Sequence, residues 1–374
     1  MHTLAVARAV HGIEPLVAAE IERHGLGAVR ELRHREVWFE PAGPPGRLAS
    51  LRTADDVLLV AAVVDGVGRT RAALARLAAA ARSLDARRFL RSAGVPRRGG
   101  LEVSASAVGR RTYGRYEIED AVGAELARRL GLAYHSRSGG ARPPAGALAW
   151  RVTLEGDRAV IALRAGARPL HRRAYKTASV PGTLHPPVAA AMAQLAGLDA
   201  PGAPVVLDPC AGAGTVLIEA AARAPEARLL GFDRDPAAVR AATANATNAA
   251  HAAHPACAAC AACAARLPGP ALSGGPCFSL ADAGRLPLAR GSVDRVLVNP
   301  PWGRQAPPRG LLARDAGRLW REVRGVLAPD GLAVALVHGT AETGTQAPAG
   351  FRVVRAMRIS LSGLHPELLV LAPS

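Results

Sequence analysis

Lysine, aromatic residues and cysteine are all scarce in this chain of 374 residues. Lys176 is the only lysine, and aromatic residues make up 3% of the sequence. The five cysteines are odd in number and mostly clustered, which does not fit the disulfide framework of a secreted protein. No run of about 18 apolar residues is present, and Glu14 and Glu20 interrupt the N-terminal segment, so we expect neither a membrane span nor a secretory signal. These absences indicate a cytoplasmic protein.

The charge balance is strongly basic. The sequence contains 47 Lys and Arg residues against 30 Asp and Glu residues, which gives a formal net charge of +17. A GC-rich genome explains the preference for arginine over lysine, but it does not explain the excess of basic over acidic residues. Because so positive a field attracts polyanions, and because guanidinium groups suit phosphates, we expect a nucleic acid as partner.

The first half of the chain mixes strands and helices in an α+β pattern. Residues 101–107 alternate as a strand, and a run in which cations and aromatic residues interleave follows them. A second basic run precedes residue 180, where we place the main domain boundary. Such runs can stack on bases and pair with phosphates, although a solvated surface is the simpler alternative. The predicted nucleic-acid contacts are Arg110, Arg111, Tyr113, Arg115, Arg172, Arg173 and Lys176.

The second half alternates strands with helices, which is typical of a parallel sheet with crossover helices. Three predicted strands, at residues 205–207, 229–232 and 277–280, are each followed closely by an aspartate. The fourth, at residues 293–298, is followed by an asparagine. One such polar strand end is an ordinary cap, but four in series predict a ligand site at the carboxyl edge of the sheet. These residues are Asp208, Asp233, Asp282 and Asn299.

The turn at residues 208–214 is rich in glycine and leads into a helix. Backbone N–H groups at such a helix N-terminus let a nucleotide approach closely. Asp233 follows at a distance suited to an acidic residue that binds a ribose diol. Leu217 stands where a dinucleotide fingerprint requires Gly or Ala, which disfavours a nicotinamide cofactor.

Residues 299–302 have the sequence Asn-Pro-Pro-Trp. The Asn299 side chain and the Pro300 backbone each offer a carbonyl, and Trp302 offers a flat face. Two rigid acceptors beside a stacking surface suit a planar group that carries an NH₂, such as the exocyclic amine of a base. A strand that simply ends in a proline-rich turn is the alternative.

The second half resembles the class I S-adenosylmethionine-dependent methyltransferases that modify exocyclic amines. The resemblance implies S-adenosyl-L-methionine as cofactor, with its methionine part at the glycine-rich loop, its ribose at Asp233 and its adenine at Asp282. It implies that Asn299, Pro300 and Trp302 orient the target nitrogen, although tyrosine is commoner than tryptophan at the last position. The implied cofactor-binding residues are Asp208, Pro209, Ala211, Gly212, Gly214, Asp233, Arg234, Asp282, Ala283 and Asn299.

The first half resembles the THUMP-containing RNA methyltransferases, in residues 12–16, in residues 104–116 and in Val122 with Gly123. The implied fold class is α/β, with a C-terminal Rossmann-like methyltransferase domain on a seven-stranded, mostly parallel sheet, preceded by α+β N-terminal and THUMP domains. The implied boundaries are a ferredoxin-like N-terminal part at residues 1–50, a THUMP RNA-binding domain at 51–168, a linker at 169–187 and the methyltransferase domain at 188–374.

This family methylates guanosine, and we therefore expect methylation of the exocyclic N2 amine of a guanosine in RNA, with tRNA preferred to ribosomal RNA. An adenine-N6 DNA methyltransferase uses a similar Asn-Pro-Pro-aromatic motif and is the second enzymatic alternative. An inactive, cofactor-binding RNA chaperone is the alternative without catalysis. No obligate protein partner is indicated.

Histidine and cysteine recur every third residue between residues 251 and 263, within an alanine tract. All of these side chains are potential metal ligands. A three-residue period drifts around a helix, however, and the tract has the character of a low-complexity insertion, so we expect no metal site. The residues concerned are His251, His254, Cys257, Cys260 and Cys263.

Overall fold

The computed structural model describes residues 4–97, 99–140, 142–253, 275–302, 306–338 and 347–374. The chain divides into two compact units, one of Met1–Ala9 with Val17–Leu170 and one of Val10–Leu16 with His171–Ser374. The expected linker at residues 169–187 belongs almost wholly to the second unit. Most of the His/Cys tract, from His254 to Cys263, lies outside the described residues.

Two searches of the described residues were negative. None of the helices there combines the length and the apolar character that a membrane crossing requires. No group of three or more His, Cys, Asp or Glu side chains is arranged to hold a metal ion in the same part of the chain.

The first unit is built on one seven-stranded sheet, in the order β2-β3-β1-β4-β7-β6-β5. β1 pairs with both β3 and β4, so the sheet runs continuously through the parts expected on either side of residue 50. Its strands are β1 (Ala5–Arg8), β2 (Gly27–Arg33), β3 (Glu36–Pro41), β4 (Asp56–Val64), β5 (Leu101–Ala107), β6 (Leu148–Glu155) and β7 (Arg158–Arg164).

Helices α2 and α4 supply the core of this unit. Leu77 of α2 and Val122 of α4 join Val103 and Trp150 of the sheet in one buried cluster. α4 ends at Gly131, whose left-handed backbone (φ 65°) terminates the helix at the predicted glycine. The helices of the N-terminal half are α1 (Glu14–Arg23), α2 (Ala72–Ser83), α3 (Ala86–Ser92) and α4 (Arg115–Leu130), with a short 3₁₀ helix at Pro45–Ser50.

The second unit is built on the other seven-stranded sheet, in the order β10-β9-β8-β11-β12-β14-β13. The first five strands in that order are parallel, and β14 runs antiparallel to both of its neighbours. The expected Rossmann-like, mostly parallel sheet is thereby confirmed. Its strands are β8 (Val205–Asp208), β9 (Arg228–Asp233), β10 (Cys277–Leu280), β11 (Val293–Val298), β12 (Leu327–Val337), β13 (Phe351–Arg358) and β14 (Glu367–Pro373). Its helices are α5 (Pro186–Leu195), α6 (Thr215–Arg223), α7 (Pro236–Ala253), α8 (Leu311–Arg314) and α9 (Gly317–Val326).

The sequence pattern predicts one helix over residues 311–327 that stops at residues 329–331, and the structure differs from this expectation. Two helices form there, and β12 begins directly at Leu327. The predicted helix stop at residues 329–331 is an irregularity inside β12, because the pairing with β11 jumps from Val293–Leu327 to Arg295–Leu332. Pro329 has no N–H to give to the ladder, which explains why the ladder skips these residues.

Residues 173–185, which we call the strap, lie near the start of the long segment of the second unit, His171–Ser374, and lead to α5. The Arg173 guanidinium donates to both carboxylate oxygens of Glu219 on α6, at 2.9 and 3.3 Å, and the Tyr175 hydroxyl donates to the same side chain at 2.8 Å. Asn245 on α7 accepts from the backbone N–H groups of Thr177 and Ala178, both at 3.0 Å. Glu219 and Asn245 are both 0% exposed, so these are buried polar contacts that hold the strap against the helices.

We expect Glu219→Gln to destabilise the second unit by about 3 kcal/mol, because the substitution removes a buried carboxylate charge that pairs with the Arg173 guanidinium. Thermal and urea denaturation followed by circular dichroism measure this change. Glu226→Gln, at an exposed position beyond α6, is the matched control and should change stability by less than about 0.5 kcal/mol. Equal stabilities of the two variants would contradict the structural role of Glu219.

Candidate active site

The carboxyl ends of β8, β9, β10 and β11 open into one cavity of about 910 Å³. In an open parallel sheet, ligands bind at this edge. The cavity wall includes all four of the predicted polar strand ends together with the tetrapeptide at residues 299–302. The sequence pattern therefore identified residues that the fold brings together. These strand ends are Asp208, Asp233, Asp282 and Asn299.

The loop between β8 and α6 can form only with glycine at two positions. Gly212 and Gly214 have φ angles of +53° and +77°, in the left-handed region. A Cβ atom on Gly214 would lie 2.8 Å from the Phe278 ring and 3.0 Å from the Ala242 Cβ. The loop therefore packs closely against neighbouring elements at Gly214, which does not line the cavity, whereas Gly212 does.

Asp208 is a buried acid, 1% exposed, at the end of β8. Burial raises the pKa of its carboxyl group to about 8, a hydrogen bond from the Cys210 N–H (3.0 Å) opposes that change, and the charge of Asp233 adds to it. A cationic group placed beside Asp208 would favour its ionised form. The site is thus suited to a ligand that carries positive charge.

The other two aspartates are oriented by backbone N–H groups. Asp233 accepts from Gly212 and Asp235, each at 2.9 Å. Asp282 accepts from Gly284 at 2.8 Å and from Leu311 at 3.2 Å. Each carboxylate therefore has a fixed orientation at its strand end, as a residue that binds ribose or adenine requires.

Arg234, predicted to lie beside the cofactor, is exposed, and its Nε lies 3.8 Å from Asp282 Oδ2. The backbone at Gly310 comes close to both side chains, because a Cβ atom there would lie 2.2 Å from Asp282 Oδ2 and 2.9 Å from Arg234 Nε. Ala283, the next predicted residue, is buried and also lines the cavity.

The Asn299 amide is held from both of its ends. Its Nδ2 donates to the Gly182 carbonyl of the strap at 3.3 Å, and its Oδ1 accepts from Trp302 Nε1 at 3.1 Å. The Trp302 ring packs against the His338 ring, with centroids 3.6 Å apart and planes 44° apart. The hydrogen bond to Gly182 assigns the orientation of the amide, so that Oδ1 is the acceptor on the Trp302 side.

The predicted RNA contacts fall into three groups. Arg110, Arg115 and Arg172 are exposed. Arg115 also lies over the Tyr116 ring, with its guanidinium carbon 4.6 Å from the ring centroid.

Three other predicted RNA contacts have side chains that are engaged within the fold, and their role in RNA binding stays a prediction. Tyr113 is 6% exposed and donates to the Gly68 carbonyl at 2.8 Å. Arg111 donates to the Gly156 carbonyl at 2.6 Å, and Arg173 belongs to the Glu219 cluster. An arrangement of cations and aromatic residues in sequence does not reveal that their partners lie on distant segments of the same chain.

Lys176, the remaining predicted RNA contact, lines the cavity. Several cavity residues were not predicted. Those in the strap were missed because it was interpreted as a linker, and they are Val180, Gly182, Thr183 and His185. Thr215, Arg309 and Ser362 of other segments also line the cavity. The signals available were the lone lysine and the Pro181-Gly182 turn ahead of a proline-flanked helix.

Asp208→Asn should change how stability depends on pH. The raised pKa of Asp208 keeps its proton in the folded chain up to pH of about 8, whereas the unfolded chain releases it near the ordinary aspartate pKa of 3.8. The Asp208 carboxyl group therefore stabilises the folded state at acidic pH, and this stabilisation is lost as the pH rises between these two pKa values. The variant cannot titrate, and at pH 8 we expect it to be more stable than the wild type by more than about 1 kcal/mol.

The measurement is urea denaturation at pH 5, 6.5 and 8 for the wild type, Asp208→Asn and Asp330→Asn. Asp330 is exposed, so its variant controls for removal of a carboxyl group and should follow the wild-type profile. If Asp208→Asn lost as much stability between pH 5 and pH 8 as the wild type does, the Asp208 carboxyl group would not titrate as described.

Comparison with known proteins supports one family. Residues 173–367 match the family described as UPF0020, RMKL-like, methyltransferase domain. The tRNA (guanine(6)-N2)-methyltransferase of Thermus thermophilus is 29% identical over 280 residues, which cover 73% of this chain and 72% of that protein. The crystal structure of TrmN from Thermus thermophilus superimposes with a TM-score of 0.74 at 27% identity, over 100% of both chains.

A more distant structure shares the fold. SMU.472, crystallised in complex with SAH, has a TM-score of 0.67 at 16% identity, over 100% of this chain and 98% of that one.

The cavity residues fit S-adenosylmethionine. Residues 208–213 of the glycine-rich loop line the cavity, and Asp208 is a buried acid suited to a cationic partner. The hydroxyl oxygen of Thr215, a buried residue that lines the cavity, has no hydrogen-bond partner among the described residues. The matched segment covers more than half of the chain, so this protein belongs to the RMKL-like methyltransferase domain family and is an S-adenosylmethionine-dependent methyltransferase.

Proposed function

We propose that this enzyme methylates the exocyclic N2 amine of a guanosine in tRNA. The observation that carries the proposal is the position of the Asn299 amide, at the end of β11 and in the same cavity as the three aspartates. Similarity over most of the chain to a tRNA (guanine(6)-N2)-methyltransferase supports both the base and the RNA.

The cavity residues divide between cofactor and substrate. We assign the methionine part of the cofactor to the loop of residues 208–214, its ribose to Asp233 with Arg234, and its adenine to Asp282 with Ala283. When bound, S-adenosylmethionine supplies an electrophilic methyl group on a sulfonium. Asn299, Pro300 and Trp302 are left for the base.

Asn299 and Pro300 prepare the amine for attack. The lone pair of an arylamine is delocalised into its ring. Two acceptors, Asn299 Oδ1 and the Pro300 carbonyl, take the two N–H hydrogens and direct the lone pair away from them. Holding the nitrogen in line with the methyl group then supplies most of the acceleration. No base has to remove a proton before attack.

Trp302 competes with the substrate for Asn299. Its Nε1–H donates to the same Oδ1 atom that the base amine needs, at 3.1 Å. The target base has to leave its stack to reach the cavity, and the Trp302 ring is the proposed surface on which it then stacks. We infer that the indole N–H gives up Oδ1 as the base takes its place.

The first unit is proposed as the RNA-binding part, in the arrangement of a THUMP-containing enzyme. Arg110 and Arg115 are exposed there, and Arg172 is exposed at the start of the second unit. Together with the net charge of +17, they supply cations for phosphates. We place the enzyme in the cytoplasm, where tRNA is available, and propose that it acts without an obligate protein partner.

Methyl transfer to purified RNA tests the function. The wild type and radiolabelled S-adenosylmethionine are incubated with bulk tRNA, ribosomal RNA or DNA, and the products are digested to nucleosides. The expected product is N2-methylguanosine from tRNA. N6-methyladenine from DNA, or label in ribosomal RNA alone, would contradict the proposal.

Asn299→Ala should lose methyl transfer to tRNA by about 10²-fold or more, because one of the two acceptors is gone. Its affinity for S-adenosylhomocysteine, measured by calorimetry, should stay close to that of the wild type. Wild-type activity of Asn299→Ala would remove the residue from the mechanism.

Asn248→Ala is the matched control for this variant. Asn248 lies on α7, and its Nδ2 donates to the Thr177 hydroxyl of the strap at 2.8 Å. Neither Asn248 nor Thr177 lines the cavity. The control therefore removes an amide that contacts the strap, as Asn299 does, without removing an acceptor for the base, and it should keep methyl transfer close to that of the wild type.

Trp302→Phe and Trp302→Ala separate stacking from competition. Phenylalanine keeps an aromatic face but has no N–H to occupy Asn299 Oδ1, so we expect the KM for tRNA to fall or stay unchanged. Alanine removes the face as well, and the KM should rise by about tenfold. Steady-state kinetics at saturating cofactor measure both. Equal impairment of the two variants would show that the indole N–H is needed and does not compete.

A further inference from the structure

Lys176 is the only lysine among the 47 basic residues of the chain, and it lines the methyltransferase cavity. A chain that uses arginine everywhere else retains lysine at this one place. Lysine offers a compact ammonium on a flexible stem, whereas arginine presents a larger planar fork. A confined site with an anionic ligand is one situation that favours lysine.

The backbone on both sides of Lys176 is fixed. Tyr175 donates to the buried Glu219, and Thr177 donates through its backbone N–H to the buried Asn245. The Lys176 N–H itself donates to the Arg173 carbonyl at 3.3 Å. Because the main chain is held before and after this residue, the strap brings the side chain to the cavity wall.

Within the described part of the chain, the Lys176 ammonium group has one hydrogen-bond partner. Nζ donates to the Leu184 carbonyl at 3.4 Å, and no salt bridge to Lys176 forms among the described residues. The carboxylate of Glu219 is engaged by Arg173 and Tyr175. Partial burial lowers the pKa of Lys176, and the charge of Glu219 only partly offsets that effect. A half-buried cation of this kind gains from an anion beside it.

Thr215 lines the same cavity as Lys176. It is 3% exposed, it opens the nine-residue helix α6, and its hydroxyl oxygen lacks a hydrogen-bond partner within the described part of the chain. A buried hydroxyl without a partner costs free energy that a ligand can recover. The N–H groups at the start of α6 add positive potential at the same end of the helix.

We infer that Lys176 is an anion-binding residue of this cavity, and that its ammonium pairs with an oxyanion of a bound ligand. Two ligands of the proposed reaction carry one, namely the carboxylate of S-adenosylmethionine and the phosphate of the target nucleotide. The inference rests on the proposed function. Within it, Lys176 moves from the outer RNA-binding surface to the site of methyl transfer.

Calorimetry with two probes tests the cofactor source. S-adenosylhomocysteine carries the carboxylate, and 5′-methylthioadenosine lacks the whole amino-acid part. If Lys176 pairs with the carboxylate, Lys176→Met weakens S-adenosylhomocysteine by about tenfold or more and leaves 5′-methylthioadenosine unchanged. Arg228→Met is the control. Arg228 is exposed and is the first residue of β9, at the opposite end of this strand from the cavity. Its loss removes one positive charge and should change neither affinity.

Kinetics with tRNA test the phosphate source. If Lys176 pairs with a phosphate, Lys176→Met raises the KM for tRNA by about tenfold and leaves both calorimetric affinities unchanged. Lys176→Gln keeps an N–H donor for the Leu184 carbonyl but carries no charge, so it should share the defect of Lys176→Met. Lys176→Arg restores the charge and should recover part of the loss.

The inference is overturned if Lys176→Gln binds and reacts like the wild type, since the side chain would then serve only as a tether to Leu184. It is also overturned if Lys176→Met weakens both calorimetric probes equally, or changes neither affinity nor KM. A wild type that fails to bind S-adenosylhomocysteine or to methylate tRNA contradicts the proposed function instead.

Discussion

Parallel pairing of β8 with β9 on one side and with β11 on the other is the constraint on which the site depends. The pairing matches Asp208 with Gly231 on β9 and Leu207 with Val296 on β11. Because the three strands run in the same direction and nearly in register, their polar carboxyl ends reach the same edge of the sheet. An antiparallel β11 would place Asn299 at the opposite edge from Asp208, and cofactor and base could not meet. The cavity therefore depends first on the direction of these strands, and only then on individual side chains.

Strand direction is also why the centre of the site was predictable from the sequence. Apolar runs that end in Asp208, Asp233, Asp282 and Asn299 alternate with helices, and that alternation implies parallel strands. The rest of the site depends on contacts that leave no local pattern. Glu219 lies inside α6 as an ordinary helical glutamate, and nothing near it in sequence shows that its partner Arg173 lies 46 residues earlier.

The strands that escaped prediction show the same limit. β13 carries Arg352 and Arg355 among its apolar residues, and a bulge between Val353 and Arg355 interrupts its alternation. It is also an edge strand, where charged side chains protect an exposed ladder and weaken the apolar signal. β2 is an edge strand as well, and most of its residues are exposed. Exposure and interspersed charges concealed β2 and β13, whereas the edge strands β5 and β10 were predictable because their sequences alternate or form a short apolar run.

The net charge of the chain and the charged residues at the strand ends of the cavity have opposite signs. The chain as a whole is strongly basic, which favours a polyanion, whereas the strand ends in the cavity are acidic. Each of the three aspartates accepts at least one hydrogen bond from a backbone N–H group. They are thereby suited to shape the loops and to hold hydroxyl and cationic groups. This division agrees with a mechanism in which the amine attacks without prior deprotonation.

The strap links the orientation of Asn299 to the buried polar contacts behind it. The Gly182 carbonyl of the strap accepts from Asn299 Nδ2, which leaves Oδ1 as the acceptor for Trp302 and, in the proposed mechanism, for the base. If the amide were rotated by half a turn, it would present N–H donors to an amine that itself donates, and the interaction would become repulsive. Gly182 can fix the amide only while Glu219 and Asn245 hold the strap in place. Two buried side chains that touch neither ligand of the proposed reaction thereby determine which atom of Asn299 faces the substrate.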